Sequence, residues 1–248
     1  MRKYTTPGGP VYNLFLDALA QPHLLIAGAT GSGKSVIVNG LIYTLLHRLP
    51  GGPDGAELIL IDPKRVELSQ WRGVPHVLRY ASEPDDMLSA LFCAMEIVEA
   101  RYTAMQKAGQ RRYGGSDVYI IIDEFADLMT TQARTVKPLI QRLAQIGRAA
   151  RVHLIVATQT PIRDVIPTQI KCNFDARFGL RARSAQDSRN ILDHTGLEKL
   201  PRYGQAVYMT PAGETLYNVP YIRDADLEAM AAFWTRQTRR GLFRRRSA

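Results

Sequence analysis

No apolar stretch in the 248 residues approaches the ~18 needed to cross a bilayer. The N-terminus runs from Met1-Arg2-Lys3 into Thr5-Thr6-Pro7-Gly8-Gly9-Pro10 without the apolar segment of a targeting peptide. No membrane insertion is therefore expected of this chain. Cysteine is almost absent: Cys93 and Cys172 lie far apart and form no metal-ligand spacing, which excludes a disulfide scaffold and a cysteine-ligated zinc site. Two isolated thiols suit a reducing compartment, and a cytoplasmic location is expected. Internal repeats are missing too, which argues against a solenoid or propeller.

What is present is ordinary globular composition, 46% hydrophobic and 22% charged, enough to bury a substantial core. The formal net charge is +9, and it is uneven. Arg236, Arg239, Arg240, Arg244, Arg245 and Arg246 supply +6 at the C-terminal end, leaving +3 for the rest. Two readings of this end are open: a basic segment that meets a polyanion, or a solvated charge run with no partner. Residues 1–235 are expected to form one domain and residues 236–248 a basic, disordered tail.

Short apolar runs alternate with longer helical patterns, which predicts an α/β fold with a mainly parallel central sheet flanked by helices. Strands are expected at Leu24–Gly28, Leu58–Asp62, Val118–Ile122, Leu154–Ala157 and Ala176–Ala182, with a C-terminal β-hairpin from Gln205–Met209 and Thr215–Val219 turned by Pro211-Ala212-Gly213. One helix is expected after Gly33, ended by Pro50-Gly51-Gly52-Pro53, a long one from about Ser82, one over Val136–Ala149 and a short one over Asp187–Asp193. Each early strand delivers polar residues at its C-terminal end, where open parallel sheets place ligands.

Gly28-Ala29-Thr30-Gly31-Ser32-Gly33-Lys34-Ser35 fits G-x-x-x-x-G-K-[ST], a phosphate-binding loop. Its glycines let successive N–H groups face phosphate oxygens, Lys34 neutralises the outer phosphates, and Ser35 supplies a hydroxyl to Mg²⁺. The bare pattern arises by chance in on the order of 1% of chains of this length, and a strand before and helix after lower that further. ATP and Mg²⁺ are the expected ligands. Val118–Ile122 ends in Asp123-Glu124: one carboxylate to hold the metal, and a neighbour to polarise the water that attacks the γ-phosphate. Gln159, closing the next strand, is either a γ-phosphate sensor or a structural polar residue. Arg148, Arg151, Arg177, Arg183 and Arg189 are candidates for a cation that a neighbouring molecule brings to the γ-phosphate.

Several blocks together resemble the FtsK/SpoIIIE family of double-stranded DNA translocases. They are Pro22–Gly28 running into the loop, Ile61-Asp62-Pro63-Lys64, Gly73-Val74-Pro75-His76, Asp123–Met129, Arg142-Leu143-Ala144-Gln145, Ala157-Thr158-Gln159, Asp187–Asp193 and Glu198-Lys199-Leu200. The resemblance implies a RecA-like P-loop NTPase that assembles as a homohexameric ring, with ATP between subunits and duplex DNA in the central channel. By position it implies hydrolytic roles for Lys34, Ser35, Asp123 and Glu124, a sensor role for Gln159, the trans-acting arginine at Arg177, and DNA contacts at Arg183, Arg189 and Lys199. The chain departs from the family pattern at Thr160, where arginine is common, at Ala185, where lysine is usual, and at Gly204-Gln205, usually Gly-Asp. A related motor with a protein cargo, or a nucleotide-gated coupling module, stays open as an alternative.

Overall fold

One eight-stranded sheet organises the chain, in the order β3-β2-β4-β5-β1-β6-β7-β8. The computed structural model describes residues 10–48, 55–162, 164–219 and 221–239, apart from the side chains of 10–13, 16, 48 and 237–239. The strands are β1 (His23–Ala27), β2 (Ala56–Ile61), β3 (Val77–Ala81), β4 (Asp117–Ile122), β5 (Val152–Thr158), β6 (Ala176–Leu180), β7 (Gln205–Thr210) and β8 (Gly213–Asn218). The first six are mutually parallel, and β7 and β8 append an antiparallel hairpin. The helices are α1 (Pro10–Ala20), α2 (Lys34–Arg48), α3 (Pro84–Ala108), α4 (Phe125–Ala150), α5 (Thr168–Lys171), α6 (Ala185–Leu192) and α7 (Asp224–Arg239), with single 3₁₀ turns at Ser69–Trp71 and Leu197–Lys199.

The central strands are apolar throughout because both sheet faces are covered. Successive side chains alternate between two cores. Leu24, Ile26, Tyr119 and Ile121 face the layer of α1, α2 and α7, with Leu14, Phe15, Leu41, Leu45 and Trp234. Leu25, Val118, Ile120 and Ile122 face α3 and α4, meeting Leu91, Val98, Ile140 and Leu143. The α/β sheet and hairpin expected from the alternation are therefore present, and each expected strand is found within two residues of its predicted ends.

Helices α1, α5 and α7 and strand β3 were not anticipated, and α4 starts earlier than expected. Helix α1 buries Leu14, Phe15, Ala18 and Leu19, a helical stripe too short to stand out beside the proline and glycine before it. Strand β3 is an edge strand with only its end residues buried, so it carries no continuous apolar run. Helix α4 begins at Phe125 rather than near Val136. Thr130 and Thr131 interrupt the apolar pattern there, yet bond back to the carbonyls of Ala126 and Asp127, and the helix breaks only at Gln132 (φ −139°, ψ 28°). Helix α7 buries Leu227, Ala231 and Trp234 at helical spacing and runs four residues past 235. Pro50–Pro53 and residues 240–248 of the expected tail lie outside the described residues. No described helix is long and apolar enough to cross a membrane.

Candidate functional site

The site is built at the C-terminal ends of four adjacent strands, β2, β4, β5 and β1. The loop after β1 is pinned from both sides: Gly28 N donates to Thr158 O at the end of β5 (3.3 Å), and Ala29 N to Arg181 O just past β6 (2.8 Å). Gly28 is required by that squeeze, since a side chain there would start 2.7 Å from Leu180 Cβ and 2.8 Å from Ser32 Oγ. Gly33 takes φ 102°, which only glycine adopts without strain, and delivers the chain into the first turn of α2. The unpaired N–H groups of that turn, with the positive end of the helix dipole, make the loop an anion cradle.

Lys34 is 5% exposed and reaches across the width of β5. Its Nζ lies 3.7 Å from Asp123 Oδ1 and 3.5 Å from the Asp123 main-chain oxygen. Asp123, at the end of β4, is fully buried, and neither carboxylate oxygen accepts a hydrogen bond among the described residues. Burial pushes its pKa up to about 6; Lys34 opposes the rise, and the negative charges of Glu67, Asp62 and Glu124 add to it. A buried carboxylate with open lone pairs beside a lysine and a phosphate cradle fits a hard divalent cation, which takes oxygen ligands. Ser35, the next residue of α2, carries a hydroxyl beside the loop.

Glu124 occupies the N-cap position of α4 without capping it. Its side chain turns toward β5 instead, where Oε1 accepts from the Thr158 hydroxyl (2.7 Å) and from Gln159 N (3.0 Å). On the other side, Oε2 meets Lys64 Nζ at 3.1 Å. Lys64 is half-exposed; desolvation lowers its pKa, but the hydrogen bond and charge of Glu124 outweigh this, leaving it raised. The Gln159 side-chain oxygen accepts from the Thr30 hydroxyl at 2.6 Å, tying the phosphate loop to the strand that holds Glu124. Lys34, Asp123, Glu124 and Gln159 are thus brought together around one loop.

The remaining sequence candidates are arginines and a lysine, of which Arg183 borders the loop. Arg177 sits within β6, opposite Leu25, and is 9% exposed. Its guanidinium donates to Phe174 O (2.9 Å), Ile191 O (3.1 Å) and Asp193 Oδ2 (2.7 Å), all in its own chain. Arg151 is engaged by Asp117 through two bonds of 2.8 and 2.7 Å. Arg189 on α6 and Lys199 in the second 3₁₀ turn are exposed, as is Arg148 near the end of α4. Arg183 lines a cavity of about 480 Å³ together with Ala29, Thr30, Ser32, Arg181 and Arg202. Three arginines beside the loop give that cavity a positive wall suited to an anionic ligand of nucleotide size.

Sequence reasoning did not assign Lys64, Thr158, Arg181 or Arg202. Lys64 stood in a recognised block, but its partner is 60 residues away. Only the sheet order brings β2 and β5 to either side of β4.

A model of the FtsK/SpoIIIE family matches residues 8–117 and 115–162. The chain belongs to the FtsK/SpoIIIE family. It is 36% identical to "DNA translocase FtsK" of Caulobacter vibrioides over 92% of this chain and 33% of that protein. With the protein of the same name from Oceanobacillus iheyensis it shares 42% identity over 78% of this chain and 27% of the relative. It thus spans about a third of the length of the curated relatives it matches. Among solved structures, the pCW3 conjugation coupling protein TcpA with ATPγS superposes with a TM-score of 0.75 at 24% identity, over 86% of this chain and 65% of TcpA. The cytoplasmic domain of the type VII secretion ATPase EccC of Thermomonospora curvata gives 0.73 at 20% identity, over 86% of this chain and 28% of EccC. These likenesses show that the chain shares the fold of both proteins.

Proposed function

We propose that this chain hydrolyses ATP with Mg²⁺ and uses the cycle to move double-stranded DNA, with little sequence preference, through a ring of its own copies in the cytoplasm. The observation that carries the reading is 36% identity, across 92% of this chain, to a protein named as a DNA translocase. The clustering of Lys34, Asp123, Glu124 and Gln159 around the phosphate loop supports the hydrolytic half of it.

In this scheme the N–H groups from Gly28 to Ser35 hold the α- and β-phosphates and Lys34 neutralises the β- and γ-phosphates. Ser35 and Asp123 would hold a magnesium ion, which would supply neutralisation of phosphate charge. Glu124 accepts the proton of the water whose oxygen attacks the γ-phosphorus, as the bond to the ADP oxygen breaks. Gln159, bonded to Thr30, senses whether the γ-phosphate is present. Arg177 is the cation supplied to the neighbouring subunit's ATP. For Arg177 to reach it, a docking neighbour has to exchange three bonds within this chain: the ion pair with Asp193, whose side chain is 61% exposed, and the bonds to Phe174 O and Ile191 O. Arg189 and Lys199 contact the phosphate backbone, and Arg183 stands where that surface meets the arginine-lined cavity.

The reading is tested by displacement of a third strand from long linear duplex DNA at low salt. Displacement with ATP, and none with a non-hydrolysable analogue, is expected. Active hydrolysis without displacement would instead favour a polypeptide cargo, as in the secretion ATPases that share the fold.

A further inference from the structure

Glu124 is flanked in the sheet by β2 on one side and β5 on the other, and it is bonded from both. Thr158 and Gln159 saturate Oε1 from the β5 side. From the β2 side the Lys64 ammonium reaches Oε2 at 3.1 Å; among the described residues Oε2 otherwise receives Gln159 N, from the β5 side at 3.3 Å and already committed to Oε1. The carboxylate is 3% exposed, and a buried charge needs a full set of donors.

The turn that carries Lys64 is braced for this task. Asp62, fully buried, accepts from Leu68 N (3.0 Å) and the Tyr80 hydroxyl (3.3 Å) through Oδ2, and its own main-chain oxygen accepts from Arg65 N (3.1 Å). Pro63 restricts the backbone before Lys64, and Arg65 takes a left-handed φ of 60° after it. Arg65 is then anchored by an ion pair with Glu83 at the start of α3. A half-exposed lysine gains little by leaving water unless it is held, and here the loop on both sides of it is held.

We infer that Lys64 is a positioning residue for hydrolysis: it fixes the orientation of the Glu124 carboxylate by binding Oε2, while β5 fixes Oε1. Lys64 itself touches neither the phosphates nor the attacking water. The inference rests on the reading of Glu124 as the proton acceptor.

The test compares Lys64→Met, Lys64→Arg and Glu124→Gln in the full chain, by steady-state ATP hydrolysis, equilibrium binding of a fluorescent ATPγS, and thermal unfolding of the nucleotide-free protein. Loosening a reacting group by an ångström costs on the order of 100-fold, so Lys64→Met is expected to lower kcat by about 10- to 100-fold. KM and nucleotide affinity should stay within about threefold, because only transition-state geometry is lost. Lys64→Arg should recover most of the rate, since a guanidinium can reach the same oxygen. An unchanged or raised kcat in Lys64→Met overturns the inference, as does a KM rising in step with the fall in kcat, which would make Lys64 a phosphate ligand. Arginine failing to rescue while the unfolding temperature drops equally in both variants also overturns it and leaves a structural brace. Glu124→Gln separates the two readings. If it is inactive while Lys64→Met is fully active, only the role of Lys64 falls; if it retains turnover, the proton-acceptor reading falls with it.

Discussion

The Lys34 ammonium and the Asp123 carboxylate meet at 3.7 Å across the end of β5, both buried, although 89 residues separate them in the chain. Lys34 only partly compensates the burial of Asp123, which stays shifted up to about 6. A buried carboxylate whose oxygens accept nothing from the described residues weakens the fold that carries it. Asp123→Asn relieves that cost but leaves the buried Lys34 ammonium without its counter-charge, so the stability of the nucleotide-free protein is expected to stay within about 2 kcal/mol of the parent in urea unfolding, while magnesium-dependent ATP turnover is abolished. A clear destabilisation would make Asp123 a structural residue.

His23, at the start of β1, reports on the strand beneath the phosphate loop. Burial, with the nearby His153 adding to it, lowers its pKa to about 4, and its Nδ1 accepts from Leu154 N at 3.0 Å. The native state thus keeps His23 neutral where an unfolded chain, with a pKa near the ordinary 6.5, binds a proton. Its contribution is complete above about pH 6.5 and is lost as the pH falls toward 4. Between pH 7 and pH 5 the loss from this group should be about 2 kcal/mol. His23→Asn keeps an acceptor without the titration, so unfolding measurements across this window should show a flatter slope for it than for the parent. Equal slopes would remove His23 as the cause.

Gly28 is held against Leu180 of β6 and Ser32 of the loop with no room for a methyl group. Gly28→Ala should cost about 1–3 kcal/mol through overpacking and weaken nucleotide binding, because β6 and the loop must part. Gly114→Ala, in open space, serves as the control and should change stability by less than about 0.5 kcal/mol. Similar effects of the two substitutions on binding would show that the squeeze at Gly28 does not set the loop's shape.

Arg177 and Asp193 set up a test of the trans-acting cation. Arg177→Ala should remove turnover while nucleotide affinity stays within about threefold, whereas Asp193→Ala, which removes only the ion-pair partner of the guanidinium, should keep turnover. If Arg177→Ala lowers the unfolding temperature but leaves turnover per folded molecule intact, the three bonds within its own chain describe its whole role. The exposed Arg148 then becomes the candidate.

The phosphate loop and the paired acids were legible because each depends on contiguous residues. Five apolar positions before Asp123 leave no reading but a buried strand, and Gly28–Ser35 encodes its curl locally. The convergence of Asp123 on Lys34 is set by sheet order, which adjacent residues do not encode. Lys64 and Thr158 escaped notice for the same reason. Arg177 illustrates the reverse problem: family position marked it as the trans-acting arginine, and only its carbonyl and Asp193 partners show how firmly it is held within its own chain. Helices α1 and α7 were missed because they draw their stability from the sheet they cover rather than from their own sequence.

The account stands or falls on ATP turnover measured with and without long duplex DNA at low ionic strength. It predicts stimulation of at least about tenfold by DNA that falls steeply as salt is raised, and that disappears in Glu124→Gln while DNA binding remains. A rate indifferent to DNA at low salt, with the protein folded and nucleotide bound, would contradict it.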